Sequence, residues 1–358
     1  MDNLIKFNSI LNNFEIKKSA VVLNSAPKNI GIGAHFFCNA KCIFCLGGKY
    51  PEFSLKRYKI FFEEKLKDVL TKAENVDFHG YGELLLMPEI NSFIKRINKT
   101  LPNQTKTFFT NGINLKDKNF DEGMFNIIVS LHASEKHMHQ MLTGTDSFED
   151  IIRNISVLRK QKNLKISLYS VINNINLEDM ENFLKLAYKL KVDSVIFRYL
   201  TIFEYKDFGL TVFTSKNKTN EMIDRTAEFA KKLGISVSLP QKFFNKEKNP
   251  KICKCPWNYV YVENQGTVNA CVFAGKHMGD LSKMSFQDLW NSTRYIKLRK
   301  ELSQNKPNDI CGKCIEYFSG NIDKISSHIT FRPETHKKML KYIIENRQKY
   351  GLFMKDII

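Results

Sequence analysis

Eight cysteines fall into two groups with none between them. Cys38, Cys42 and Cys45 form a C-x3-C-x2-C pattern within GIGAHFFCNAKCIFCLGGKY, and Cys253, Cys255, Cys271, Cys311 and Cys314 follow far downstream. In a reducing compartment, clustered thiols signal metal binding or catalysis and not disulfides. Three thiolates can hold three irons of a cubane cluster and leave the fourth iron open, which separates a catalytic centre from a saturated one. Tetrahedral zinc is the competing reading. Its usual pairs of close ligands do not match three cysteines within eight residues, although His35 offers a fourth donor.

Such a loop needs strands to hold it. Strand-like runs occur at 30–34, 76–79, 106–110, 127–132, 165–172 and 194–200, and amphipathic helical stretches at 61–73, 89–98, 148–159 and 177–190. Strands alternating with helices imply parallel β-α units. Several runs are apolar on both faces, as a covered parallel sheet requires. Six units are countable, short of the eight in a closed barrel, so the expected fold is α/β, a partial (β/α)6 TIM-like barrel. The first cysteine group directly follows the first strand, on a β-to-α loop at the face where such folds keep their active sites. A helix at 219–233, a short apolar run at 235–239 and a polar, Lys-rich linker at 241–250 come next. The expected division is an extension at 1–28, the barrel at 29–240, a small cysteine-bearing domain at 241–325 and a helical tail at 326–358.

Composition narrows the classes. Lys and Arg number 55 against 37 Asp and Glu, a formal charge of +18. A basic surface attracts nucleic acid or phosphorylated substrates. Here the lysines are spread along the chain with no block of five like charges, which argues against a nucleic-acid partner. The first residues lack the order of a signal peptide and no apolar run reaches 18 residues, so the expectation is a cytoplasmic protein with no membrane partner.

The C-x3-C-x2-C spacing, with the aromatic Phe44 before the third cysteine, resembles the radical S-adenosylmethionine (radical SAM) superfamily. The resemblance implies a [4Fe–4S] cluster on Cys38, Cys42 and Cys45 whose open iron takes the amino and carboxylate groups of S-adenosylmethionine. It also implies an electron donor such as flavodoxin or ferredoxin, oxygen-sensitive chemistry, and a 5′-deoxyadenosyl radical that abstracts a substrate hydrogen atom, with the protein orienting the cofactor. Phe78-His79-Gly80-Tyr81-Gly82-Glu83 is similar to the family's Gly-Gly-Glu motif, with Tyr81 at the middle glycine. By that likeness Gly80, Gly82 and Glu83 receive the methionyl ammonium, the glycines allowing close approach and the carboxylate accepting. VSLHASEKHMHQMLTGT resembles the family's Ser-Leu-Asp strand end and Thr-Gly turn, which implies that Ser130 bonds the cofactor carboxylate or ribose; His132 stands where Asp is usual. Asn111 and Arg198, at other strand ends, are carried as cofactor contacts, while His137 and His139 are read as solvated helix residues.

The second group resembles the auxiliary-cluster domain called SPASM, in its shortened twitch form. The likeness rests on C-PWNYVYVENQ-G-TVNA-C at 255–271, Gly-Asp-Leu at 279–281, SFQDLWNS and Cys311-Gly-Lys-Cys314. It implies one auxiliary [4Fe–4S] cluster on Cys255, Cys271, Cys311 and Cys314, a saturated site suited to electron transfer. Five cysteines are too few for two further all-Cys cubanes. A hairpin turning at Gly266 brings the first two together. Cys253 is an alternative ligand, an inert thiol or a hydrogen-atom donor, and a zinc ribbon is the competing reading of the whole group.

A substrate that has lost a hydrogen atom must lose one more electron to end closed-shell. The expected activity is therefore a radical SAM oxidoreductase or dehydrogenase, with the auxiliary cluster as electron acceptor. The 29 residues before the first strand are too few for the winged-helix peptide-recognition domain of many maturases, which favours a sugar, cyclitol or nucleotide-linked small molecule. A peptide maturase and an epimerase are the alternatives, and a cluster protein binding nucleic acid is the non-enzyme alternative. Glu204 and Asp207, just past the sixth strand, are candidates for substrate acid or base.

Overall fold

The computed structural model describes residues 2–34, 36–45, 47, 53–244, 253–272, 277–308, 310–314, 322–329 and 333–357. Its strands are β1 (Asn29–Gly33), β2 (Asn75–His79), β3 (Thr105–Thr110), β4 (Phe125–Ser130), β5 (Leu164–Ile172), β6 (Ser194–Tyr199), β7 (Ser236–Ser238), β8 (Tyr259–Glu263), β9 (Thr267–Asn269) and β10 (His277–Asp280). All lie in one sheet, ordered β10-β9-β8-β1-β2-β3-β4-β5-β6-β7. From β8 through β7 every neighbour is parallel, and β9 and β10 are added antiparallel. The partial barrel is present, with its six units in the anticipated places. The parallel run is longer than those six. The weak segment 235–239 forms β7, and β8, from the second cysteine segment, pairs alongside β1.

An aromatic layer behind the first strands stiffens the platform. Phe78 of β2 and Phe108 of β3 are fully buried against Phe93 and Tyr58, with Tyr58 to Phe93 at 5.1 Å and Phe78 to Phe93 at 5.3 Å. Edge-to-face pairs of this kind add about 1 kcal/mol each beyond the area they bury. The amphipathic stretch at 61–73 is not one helix. It breaks into Leu55–Tyr58, a π-helical turn Lys59–Glu64 and Lys67–Leu70. The wider turn keeps Tyr58, Phe62 and Leu66, four residues apart and all 0% exposed, facing the same core.

The helix Asp2–Lys17 reverses the usual pattern. Its polar residues Asn8, Asn12 and Glu15 are buried, while Phe7, Ile10 and Phe14 face solvent. Hydrogen bonds explain the inversion. Asn8 donates to Ala26 O and accepts from Ala26 N–H, Asn12 donates to Trp257 O at 2.7 Å, and Glu15 accepts from Asn24 and Ser25 N–H. The extension is thereby tied to the second cysteine segment, where buried Arg299 donates to Pro256 O and Val21 O and stacks 4.4 Å over Trp290. At the other end, the helix Pro333–Glu345 and the segment after it pack on the turn Tyr205–Leu210, through Tyr205 with Tyr342 and Phe208 with Tyr350. Among the described residues no helix is long and apolar enough to cross a membrane.

Candidate active site

The cysteine loop leaves β1 and is strapped on two sides. Toward β2, Phe36 N–H donates to Tyr81 O and Glu83 N–H to Phe37 O, both at 3.0 Å. Toward the helix Lys136–Thr143, Lys41 N–H donates to Thr143 O and Ile43 N–H to Leu142 O. Gly82 makes the first strap possible. Its φ is +105°, and a Cβ there would sit 1.7 Å from Phe36 O, so only glycine fits beneath the loop. The Thr143-Gly144 turn receives the second strap.

The loop forms one wall of a cavity of about 780 Å3, and the strand ends form the rest. Cys38, Cys42, Phe44, Cys45, Gly80, Gly82, Glu83, Asn111 and Ser130 all line it. Cys38 and Cys45 are exposed and Cys42 is half-buried. Ala40 N–H points at Cys38 Sγ and Gly47 N–H at Cys45 Sγ, each at 3.4 Å. Burial, then the charges of Cys45 and Cys38, pushes Cys42 up to about 12, and burial also raises Cys38. A thiol trio in which burial disfavours ionisation of Cys38 and Cys42, with backbone N–H groups pointing at two of the sulfurs, is a donor set suited to a shared cation. The trio therefore fits an iron–sulfur cluster. Among the described residues no three His, Cys, Asp or Glu side chains converge tightly enough for a single metal ion, and His35 lies outside the described residues.

Around the cysteines the polar groups are committed. Glu83 is 1% exposed; its Oε1 accepts from Leu85 N–H at 3.0 Å and its Oε2 from Asn111 N–H at 2.6 Å. Burial lifts it to about 7 despite those bonds. Its carboxylate thus clamps the β2 and β3 loops together as well as facing the cavity. Asn111 donates to Asn39 Oδ1 at 2.7 Å and reaches Cys38 Sγ at 3.8 Å, so it positions the first cysteine. His132 adopts φ +66°, a left-handed conformation that His, Asp and Asn tolerate better than most residues, which suits it to the place where Asp is usual. Its Nδ1 accepts from Val171 N–H, its ring meets Phe44 edge-on at 5.0 Å, and burial holds its pKa down at about 3.

Other expected residues fall elsewhere. Arg198 stands apart from the lining, donating to Phe197 O and Ser238 Oγ at the β7 edge. Glu204 and Asp207 cap the turn Tyr205–Leu210, with Asp207 Oδ2 accepting from Phe203 and Glu204 N–H and Glu204 paired with Lys206. His137 is exposed, but His139 is not a solvated residue. It is 1% exposed, its Nδ1 bonded to Leu131 O at 2.7 Å, because the helix turns that face onto the sheet. The motifs quoted above contain His79, Thr143 and Thr145 but assign them no role, and nothing in the sequence pattern marks Ser147 or Tyr169, which share the cavity wall.

The second cysteine group is built differently. Gly266 (φ +94°) turns the β8–β9 hairpin as its spacing suggests, its missing side chain leaving room for Phe61. Cys253 is buried and hydrogen-bonds Cys255, which together with burial drives its pKa sharply up; Cys271 adds to the rise. Cys255, Cys271, Cys311 and Cys314 are half-buried, and Asn308 Oδ1 caps the Cys311 turn.

Family comparison decides what these centres are. The Radical SAM superfamily model matches residues 34–187, and the SPASM model, an iron–sulfur cluster-binding domain, matches 253–315. The chain is a radical SAM protein with a C-terminal SPASM domain. As such it binds S-adenosylmethionine and a [4Fe–4S] cluster, with auxiliary iron–sulfur binding in the SPASM domain. This radical SAM protein is similar to a probable GTP 3′,8-cyclase of Saccharolobus islandicus (strain Y.N.15.51 / Yellowstone #2), 25% identical over 216 residues. That match covers 58% of the chain and 66% of the cyclase. It is also similar to GTP 3′,8-cyclase of Aquifex aeolicus, 25% identical over 311 residues, covering 75% and 91%. In fold it resembles Streptococcus suis SuiB bound to precursor peptide SuiA (TM-score 0.59, 14% identity, 80% and 69% covered). It likewise resembles anSMEcpe with bound AdoMet (TM-score 0.61, 16% identity, 90% and 99% covered).

Proposed function

We propose that this radical SAM protein is an oxidoreductase that removes two electrons from a small molecule of the sugar, cyclitol or nucleotide-linked kind. The observation that carries the reading is the pairing of an accessible cysteine trio on the cavity wall with a second, more enclosed set in the SPASM segment. When bound, S-adenosylmethionine and its cluster supply a radical that takes a hydrogen atom from the substrate. Asn111 and the loop N–H groups orient the sulfurs, Gly82 and Glu83 hold the loop at its working height, and Ser130 offers the cofactor a hydroxyl. Arg198 would join the cofactor contacts only by leaving Ser238.

A cavity of about 780 Å3 lies in the range of single-ligand sites, about 300–1,000 Å3, and must take the cofactor with the reacting part of the substrate. The GTP cyclases among the sequence relatives support a nucleotide-type substrate, as does the charge of +18. A small acidic redox protein such as flavodoxin or ferredoxin is the proposed electron donor, in a reducing cytoplasm. A peptide side chain is the second reading, favoured by Phe37, which is 56% exposed on the cavity wall.

Anaerobically reconstituted protein, given reductant and S-adenosylmethionine, should release 5′-deoxyadenosine. Size-fractionated metabolites from a deletion strain should stimulate that release in the small-molecule fraction, with a ketone product and no solvent deuterium in it. Stimulation only by peptides overturns the substrate class. Deuterium incorporation points to epimerisation, and no 5′-deoxyadenosine from a fully loaded protein removes the enzyme reading.

A further inference from the structure

Tyr259 touches both centres. Its backbone N–H donates to the Cys255 carbonyl at the end of the turn Cys255–Asn258, and its phenol feels the charges of Cys255 and Cys271. Its hydroxyl lies in a hydrogen bond with His79 Nε2 at 3.3 Å, and His79 lines the cavity that holds Cys38, Cys42 and Cys45.

Two glycines create this crossing. On β1, Gly31 pairs with Asp77 of β2 on one side and Tyr261 of β8 on the other, and Gly33 pairs with His79 and Glu263. A Cβ at Gly31 would stand 2.2 Å from Tyr259 Oη, and one at Gly33 would stand 3.0 Å from Tyr261 Oη. Without side chains at these two places, residues of β8 reach across β1 to β2. Tyr261 then stacks on His79 at 5.0 Å and braces it. Burial, followed by the charge of Asp77, keeps the Tyr259 phenol protonated. Which of the two donates follows the His79 tautomer.

We propose that the Tyr259–His79 pair is the electronic contact between the cavity and the SPASM cysteines, by which an electron leaves the reacting substrate. From the Cys255 carbonyl to the imidazole the route crosses only two non-covalent gaps, the N–H···O bond from Tyr259 to Cys255 and the hydrogen bond between Tyr259 Oη and His79 Nε2. The inference rests on the oxidation proposed above. One electron moves. A hydroxyl-bearing carbon radical gives it up, closes to a carbonyl and releases the hydroxyl proton to water, while an oxidised iron–sulfur cluster of the SPASM domain is reduced by one. No bond of Tyr259 or His79 forms or breaks.

The test needs no substrate. Holoenzyme with its clusters and S-adenosylmethionine is reduced by one electron with a flash photoreductant, and freeze-quench EPR follows the electron as it equilibrates between the clusters. Tyr259→Phe keeps the ring and removes the hydrogen bond, whereas Tyr259→Leu removes both. Equilibration should slow in Tyr259→Phe and slow by about tenfold in Tyr259→Leu, with iron content and both midpoint potentials unchanged. Equal rates in all three proteins overturn the proposal, as does a slowing fully explained by shifted potentials. If Tyr259→Leu does not load its clusters, Tyr259→Phe carries the test alone. Failure of the oxidation reading has a separate signature: equilibration still depends on Tyr259, but turnover leaves no reduced SPASM cluster.

Discussion

The two cysteine groups differ in how they meet their surroundings. Cys38 and Cys45 are exposed on a loop held by four backbone hydrogen bonds, and their sulfurs look into a cavity. Cys253 is buried, and Cys255 and Cys311 pack against the main hydrophobic core. The first arrangement leaves space for a ligand to reach iron. The second sets its half-buried sulfurs against the core, an arrangement that suits the electron-accepting role proposed above.

The most drastic way to break that contrast is to delete one sulfur from each group. Cys38→Ala should abolish 5′-deoxyadenosine formation, whereas Cys271→Ala should lose one cluster's worth of iron and still cleave S-adenosylmethionine. Chromatography of the nucleoside with an iron assay reads both, and cleavage surviving in Cys38→Ala would erase the distinction.

The loop's support comes next. Gly82→Ala forces a Cβ against Phe36 O at φ +105°, a loss on the order of 3 kcal/mol, while Gly234→Ala, left-handed but in open space, should cost about 1 kcal/mol. Thermal unfolding of both variants compares them, and equal losses would mean the loop shifts freely.

A third experiment reads Glu83 in cofactor-free protein. Its folded pKa of about 7 lies above the ordinary 4.5, so the stability tied to its proton is whole below pH 4.5 and is lost as the pH rises through 7. Between pH 5 and pH 8 the parent should lose about 2 kcal/mol more than Glu83→Gln in denaturant titrations. Parallel pH profiles would show that the carboxylate is ionised at little cost.

The smallest effect belongs to Glu204→Ala. It removes a cap and an exposed pair with Lys206, costing well under about 1 kcal/mol. Unaltered S-adenosylmethionine cleavage is expected, and a large fall in that rate would return Glu204 to the candidate acids and bases.

Much of the barrel was legible because parallel strands announce themselves locally. Ile30 and Ile32, Val76 and Phe78, and Phe108 alternate or run apolar as a covered sheet demands. The cysteine loop was legible from spacing alone. What escaped had no local signal. The helix Asp2–Lys17 presents Asn8, Asn12 and Glu15 inward, so a reading that sends apolar residues to the core puts it the wrong way round. The burial of His139 depends on which face its helix turns to the sheet, where its Nδ1 meets Leu131 O, a tertiary setting that the helix's own pattern does not encode. The reach of Tyr259 to His79 depends on a strand pairing between residues far apart in the chain, which periodicity does not encode.

The parallel seam of β1 with β8 also fixes how the molecule can be divided. Cut away after residue 240, the larger part would present Asn29–Gly33 as a naked border, with two glycines that offer no charge or bulk to repel a stranger. Such a border recruits other chains, so the severed piece should clump instead of standing alone. What looks in sequence like an appendage is the selvedge that keeps the larger weave from fraying.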